Sequence, residues 1–229
     1  MAEVSVIIPT MNEEASIGLV IDEVRKALTG RDLEIVAVDT ESRDRTAEIA
    51  AAKGARLISE PRRGYGRAYK TGFEAARGTY VLTLDADLTY PPDAFPEFLA
   101  ALEGDRADFV SGERMSRLAD DAMSGMHRVG NEILNATFRA LYRVPVHDSQ
   151  SGMWAFRRSI LPQLQLVHDG MAFSEELKLE VIRHGLRFLE IPIDYRVRVG
   201  DRKIRSVSDA TRNLVWLARK RVGWVPNSH

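Results

Sequence analysis

Residues 80–92 read Tyr80-Val81-Leu82-Thr83-Leu84-Asp85-Ala86-Asp87-Leu88-Thr89-Tyr90-Pro91-Pro92. A strand-like apolar run ends in two carboxylates one residue apart, and paired prolines then block any further ladder. The same pattern of strand, polar loop and helix repeats on either side of it. Residues 4–8 form an apolar run closed by Pro9, and Ile17, Ile21, Val24 and Leu28 recur at helical spacing up to Gly30. Residues 33–38 and 56–59 read as strands around a helix at 46–53, with Gly54 behind it. Residues 67–76 predict a helix ended by Gly78, 93–102 a further helix, and 108–112 a strand. Strands alternating with helices imply an α/β fold, with a mostly parallel central sheet flanked by helices.

Beyond residue 112 the pattern is less regular. It predicts helices at 125–141 and 173–184, strands at 153–157, 187–191 and 193–197, and a basic amphipathic helix at 207–221. No repeat or Gly/Ser/Pro linker divides the chain. The organisation expected is one domain over residues 1–205, built in two halves (1–112 and 113–205), then a helix and tail (206–229).

The 229 residues are 45% apolar, ample for a packed core, and the formal net charge of -1 argues against nucleic acid as a partner. There is no cysteine, which excludes disulfides, thiolate metal sites and cysteine nucleophiles. No apolar run reaches the roughly 18 residues of a spanning helix, and the start lacks a secretory pattern. A cytoplasmic protein is expected, without a transmembrane segment. The five histidines, His127, His147, His168, His184 and His229, have no metal-ligand spacing.

In open parallel sheets ligands bind beyond the carboxyl ends of the strands. Asp85 and Asp87 stand there, and their mutual repulsion calls for a counter-charge. A bare D-x-D can also be a solvated turn capping the next helix. At the end of a buried strand it instead suits Mg²⁺ or Mn²⁺, with diphosphate oxygens completing the shell. Asp39 sits at another strand tip, where a carboxylate can accept a nucleobase N–H, and Ser42 or Asp44 can cap the following helix. Gly64, Gly66 and Lys70 lie in a Gly-rich basic loop that opens a helix, an arrangement suited to anions and equally to a plain turn.

These loops together resemble the family 2 inverting glycosyltransferases of the GT-A (nucleotide-diphospho-sugar transferase) fold. The segments that carry the likeness are Val4-Ser5-Val6-Ile7-Ile8-Pro9-Thr10 with Asn12-Glu13, Val38-Asp39 with Ser42, Asp44 and Thr46, Gly64 with Gly66 and Ala68, and Asp85-Ala86-Asp87-Leu88 with Pro91-Pro92. Asp148-Ser149-Gln150-Ser151-Gly152, Glu175-Glu176-Leu177, Glu190-Ile191-Pro192-Ile193 and Arg198 with Gly200 and Lys203 are similar to the dolichyl-phosphate mannosyltransferase and polyprenyl-phosphate glucosyltransferase branch. The likeness runs over about residues 4–205. It implies that Pro9, Thr10, Asn12, Glu13 and Asp39 hold the base and ribose of a nucleotide-diphosphate sugar. Asp85 and Asp87 would hold the metal, and Arg114, Arg128, Arg198 and Lys203 would grip the phosphate of a polyprenyl acceptor at a membrane surface. Thr40, Glu41, Thr89 and Arg202 depart from the usual Asp, Gly, Gln and Ser of the pattern.

A phosphate acceptor is already ionised and needs no base, whereas a hydroxyl acceptor needs one, for which Asp148 and Glu176 are the candidates. Two other classes remain open: a sugar-phosphate nucleotidyltransferase, whose Gly-rich opening loop is missing here, and a nucleotide-sugar-binding protein without turnover. The helix at 207–221, with Trp216 and several basic residues, either packs on the domain or lies on a bilayer. The base, the hexose and the number of subunits are not fixed by the sequence.

Overall fold

The computed structural model describes residues 2–119, 122–200 and 206–221. Seven strands form one sheet: β1 (Val4–Thr10), β2 (Leu33–Asp39), β3 (Arg56–Ser59), β4 (Tyr80–Thr83), β5 (Phe109–Glu113), β6 (Trp154–Arg157) and β7 (Phe188–Pro192). Their spatial order is β3-β2-β1-β4-β6-β5-β7. Each pairing is parallel except the two made by β6, which runs antiparallel to β4 and to β5. The reversed β6 brings the loop before it, Asp148 to Gly152, to the edge where β4 and β5 end.

Among the described residues there are seven α-helices: α1 (Ile17–Ala27), α2 (Thr46–Ala52), α3 (Tyr65–Ala75), α4 (Phe95–Glu103), α5 (Gly125–Tyr142), α6 (Phe173–Arg183) and α7 (Ser206–Arg221). Alternate residues of β1 feed opposite faces. Val4, Val6 and Ile8 join a core with Ile17, Val20, Ile21 and Val24 of α1 and with Phe95, Phe98 and Leu99 of α4. Ile7 joins Tyr69 and Phe73 of α3 and Phe173 and Leu177 of α6 on the other side. Burying each of the α1 side chains contributes about 2 kcal/mol, so the spacing i, i+3, i+4, i+7 fixes which face of α1 meets the sheet.

Two expectations are corrected. Residues 193–197 do not form a strand. Ile193 N–H still donates to Glu113 O of β5 (2.9 Å), and beyond it the chain leaves the sheet with one isolated bridge, Leu118 to Tyr195. Its amides go elsewhere: Arg196 N–H donates to Thr89 O (2.9 Å) and Val199 N–H to Asp87 O (3.0 Å), which lays residues 196–199 over the acidic couplet. The helix expected at 93–102 is split, a 3-10 turn over Pro92–Ala94 preceding α4.

The apolar side of α7 is taken up by the domain: Trp216 and Leu217 pack with Phe138 of α5 and Leu179 of α6. Lys220 is 3.1 Å from Glu176 and 3.2 Å from Glu180, all three largely buried. Val222, Trp224 and His229, which the sequence places at the end of that segment, lie outside the described residues.

Candidate active site

The chain goes out to β3 and returns to β4 beside β1, so the strand order reverses between β1 and β4, the place where such sheets bind ligands. The couplet stands there. Tyr69 donates its hydroxyl to Asp85 Oδ1 at 3.2 Å. Burial, then the nearby charge of Asp87, push the Asp85 pKa up to about 7, with Arg198 and Arg114 acting against the rise. Asp87, only 4% exposed, has both oxygens engaged. Oδ1 accepts from Thr89 N (3.1 Å) and Thr89 Oγ1 (2.6 Å), and Oδ2 from Arg198 Nη1 (2.7 Å). The other arm of Arg198 reaches Glu13 Oε1 at 2.7 Å.

The loops after β1 and β2 are stitched together. Asn12 N–H donates to Ser42 Oγ (2.9 Å), and Arg43 N–H to Asn12 Oδ1 (2.7 Å). Glu13 N–H donates to Thr46 Oγ1 (2.7 Å), and Glu14 N–H to Asp44 Oδ2 (3.2 Å). Asn12 and Glu41 take left-handed backbones (φ 53 and 52), which turn each loop back on the other. Asp39 accepts from Ser42 N (3.1 Å), Ser42 Oγ (2.5 Å) and Thr10 Oγ1 (3.2 Å). Pro9 pairs with Val38 inside the sheet, so it shapes the wall by its backbone. Thr10, Asn12, Glu13, Asp39 and Ser42 are thus brought to one edge with Asp85 and Asp87.

The second half assigns different roles to three expected residues. Arg114 grips Asp148 through Nε (2.7 Å), Nη2 (2.8 Å) and its own N–H (3.0 Å), and its guanidinium lies 5.3 Å from the Tyr195 ring. Burial works to raise the Asp148 pKa, yet the Arg114 charge holds it below the ordinary value. A buried carboxylate held by a fork-to-fork pair is not free to take a proton, which removes Asp148 as a base and ties up Arg114. Glu176 is fully buried; Oε2 accepts Val167 N–H (3.0 Å) and His168 N–H (2.8 Å), and Oε1 faces Lys220. It is a latch for α7 and the 167–168 segment. Arg128 lies exposed on the first turn of α5, and Lys203 lies outside the described residues.

The Gly-rich loop also serves the protein's own chain. A Cβ on Gly64 would stand 2.3 Å from Asp169 O, and one on Gly66 2.5 Å from His168 O. Lys70 Nζ lies 2.6 Å from Asp169 Oδ1, and Arg67 pairs with the same carboxylate. The glycines thus permit close approach, as their type implies, but the approaching group is backbone 168–169.

Several residues at this edge received no role from the sequence pattern. Gly152 is enclosed by tyrosines: its N–H donates to Tyr90 Oη (2.8 Å), and a Cβ there would stand 2.0 Å from Tyr65 Oη. Tyr65 and Tyr69 are one turn apart on α3, the one signal that could have linked them. Lys178 Nζ donates to Asp148 O (2.6 Å) and Ser151 O (3.1 Å), and burial pulls its pKa down to about 8. Glu175 is pushed up to about 8 by burial; Oε1 accepts from Gln150 Nε2 (2.6 Å), and Oε2 is buried with no partner.

Among known proteins, the chain is 36% identical over 202 residues to a dolichyl-phosphate hexose transferase of Haloferax volcanii, covering 88% of this chain and 86% of that one. It is 34% identical over 225 residues to a low-salt glycan biosynthesis hexosyltransferase of the same organism, spanning 96% of this chain but only 54% of that relative. Among solved structures, glucosyl-3-phosphoglycerate synthase of Mycobacterium tuberculosis, in complex with Mn²⁺, UDP and glucosyl-3-phosphoglycerate, superposes with a TM-score of 0.73 at 25% identity, covering 99% of this chain and 82% of that one. The profile of the family described as "Glycosyl transferase family 2" matches residues 5–164. With a profile match over most of its length and 36% identity to a relative of which it covers 86%, the chain belongs to glycosyl transferase family 2.

Proposed function

We propose that this enzyme moves a hexose, with inversion, from a nucleotide-diphosphate sugar of the GDP-mannose or UDP-glucose type to a polyprenyl phosphate such as dolichyl phosphate, at a membrane surface and with a divalent cation, Mg²⁺ or Mn²⁺. The observation that carries this reading is the couplet at the β1/β4 reversal, with Asp87 buried and Asp85 half-buried. Asp85 held up to about 7 by burial and by Asp87 is a site short of positive charge.

Its donors are hard oxygens, which fit Mg²⁺ or Mn²⁺. Among the described residues no cluster of three His, Cys, Asp or Glu forms a complete metal cage. Two protein carboxylates with the remaining positions left to diphosphate and water is the arrangement expected of a nucleotide-bound cation. Such a cation supplies counter-charge for the diphosphate as the sugar bond breaks.

The chain's own residues do the rest. The stitched loops with Asp39, Thr10 and Asn12 form a rigid wall for the base and ribose. Tyr69 steadies Asp85, and Thr89 steadies Asp87. With Asp148 and Glu176 both committed to internal pairs, the geometry favours an acceptor that arrives ionised, a phosphate, over a hydroxyl that must be deprotonated.

A lipid acceptor is supported by the first half of α5. There Met126 (76% exposed), Val129 (60%) and Ile133 (52%) line one face at i, i+3 and i+7, beside Arg128. Among the described residues no helix is long and apolar enough to cross a membrane.

Radiolabelled GDP-mannose and UDP-glucose, incubated with the enzyme, Mn²⁺ and a short polyprenyl phosphate, should yield a lipid-extractable sugar product. Asp85→Asn and Asp87→Asn should each lower kcat/KM about 100-fold or more. Transfer only to hydroxyl acceptors, or nucleotide binding with no product, would overturn the proposal.

A further inference from the structure

Arg198 comes from a loop 111 residues beyond Asp87, yet it holds one oxygen of the couplet. Its Nη1 is 2.7 Å from Asp87 Oδ2 and its Nη2 is 2.7 Å from Glu13 Oε1. The other oxygen, Asp87 Oδ1, carries the hydroxyl and amide of Thr89. Both lone pairs of Oδ1 are thus taken, and a cation that uses Asp87 through Oδ2 sits against the guanidinium of Arg198. Thr89 is two residues away on the same turn and is anchored by its own backbone. Arg198 is the partner that can leave, and two positive groups on one carboxylate repel each other.

Its surroundings differ from those of the buried Arg114. Arg114 is locked fork-to-fork on a fully buried Asp148 and lies against Tyr195. Arg198 bridges two carboxylates end-on, its side chain is 19% exposed, and its Nε is buried with no hydrogen-bond partner. A permanent strut would be expected to satisfy that donor. The backbone beside it is nevertheless tied down, by Val199 N–H to Asp87 O and Arg196 N–H to Thr89 O. A guanidinium that lets go of Asp87 thus stays within a side chain's reach of the couplet.

We propose that Arg198 is an exchangeable internal counter-ion: it and the divalent cation compete for Asp87, and the arginine released by cation and diphosphate turns to the incoming phosphate. This deepens the reading above and rests on it. The resemblance gave Arg198 only the second half of that cycle, the grip on the acceptor.

The test is a Mn²⁺ titration followed by the electron paramagnetic resonance signal of free Mn²⁺, without nucleotide or lipid, on the wild type, Arg198→Gln and Arg198→Lys, each checked for folding by circular dichroism. Removing a competitor that holds the site most of the time raises apparent affinity by the inverse of the competent fraction. Arg198→Gln should bind Mn²⁺ about tenfold tighter or more, with Arg198→Lys in between. In the full reaction Arg198→Gln should need less Mn²⁺ but show a raised KM for the polyprenyl phosphate. Equal or weaker Mn²⁺ binding by folded Arg198→Gln overturns the exchange and leaves the transferase reading standing. No Mn²⁺ binding by any of the three proteins, even with UDP or GDP added, overturns both.

Discussion

Glu175 shows how far burial alone can move a charge in this protein. Its pKa rises from the ordinary 4.5 to about 8 because the side chain is desolvated, with Gln150 and Lys178 only partly opposing the rise. The folded state therefore keeps a proton that the unfolded chain gives up above about pH 4.5. Stability from this group is complete below that pH and is lost as pH climbs toward 8. Lys178, pulled down to about 8, works in the opposite sense, but only above that pH. Glu175→Gln should therefore flatten the fall of melting temperature between pH 5 and 7.5, read by differential scanning fluorimetry. An unchanged slope would mean that the proton is not there. Asp85 and Asp87 could be found from the sequence because their chemistry is local: two acids close a buried strand. What each opposes could not. Asp87 meets Arg198 across 111 residues and Asp148 meets Arg114 across 34, and no local pattern announces such partners.

Among the elements, the first half of the fold was legible almost to the residue. Parallel βαβ units write themselves as apolar runs closed by polar loops, and α3 begins at Tyr65, two residues before the expected start. The second half was harder for two physical reasons. An apolar run such as Trp154–Arg157 does not record its direction, so the antiparallel β6 emerges only from its pairing. The alternation of Ile193, Tyr195 and Val197 imitates a strand, but after Ile193 the amides leave β5: Tyr195 N–H turns to Arg117 O, and those of Arg196 and Val199 bond to the D-x-D loop. The basic helix α7 had two open readings, and packing decides for the domain, since Trp216 and Leu217 are buried and Lys220 sits between Glu176 and Glu180. Losing that cation leaves two buried carboxylates without their shared positive partner. Lys220→Met should cost about 3 kcal/mol, a fall in melting temperature of roughly 6–12 °C for a chain of this size. A fall below about 2 °C, on the same scaling, would show the latch to be dispensable.

Taken entire, the molecule sets its acidic crevice at one sheet edge and an apolar, arginine-flanked stripe on α5. Replacing Met126, Val129 and Ile133 together by serine should lower sedimentation with anionic liposomes about tenfold, while transfer to a short, water-dispersible polyprenyl phosphate is largely kept. Unaltered sedimentation would detach the stripe from any bilayer role. The stitched pair of loops after β1 and β2 bears on how this scaffold can be altered. Asn12, Glu13 and Glu14 on one side, and Ser42, Arg43, Asp44 and Thr46 on the other, share their amides and side chains reciprocally. A chimera that imports one of these loops from a relative receives half of an interlocked clasp, so under the proposed function donor preference would be transplanted only as a matched set of both.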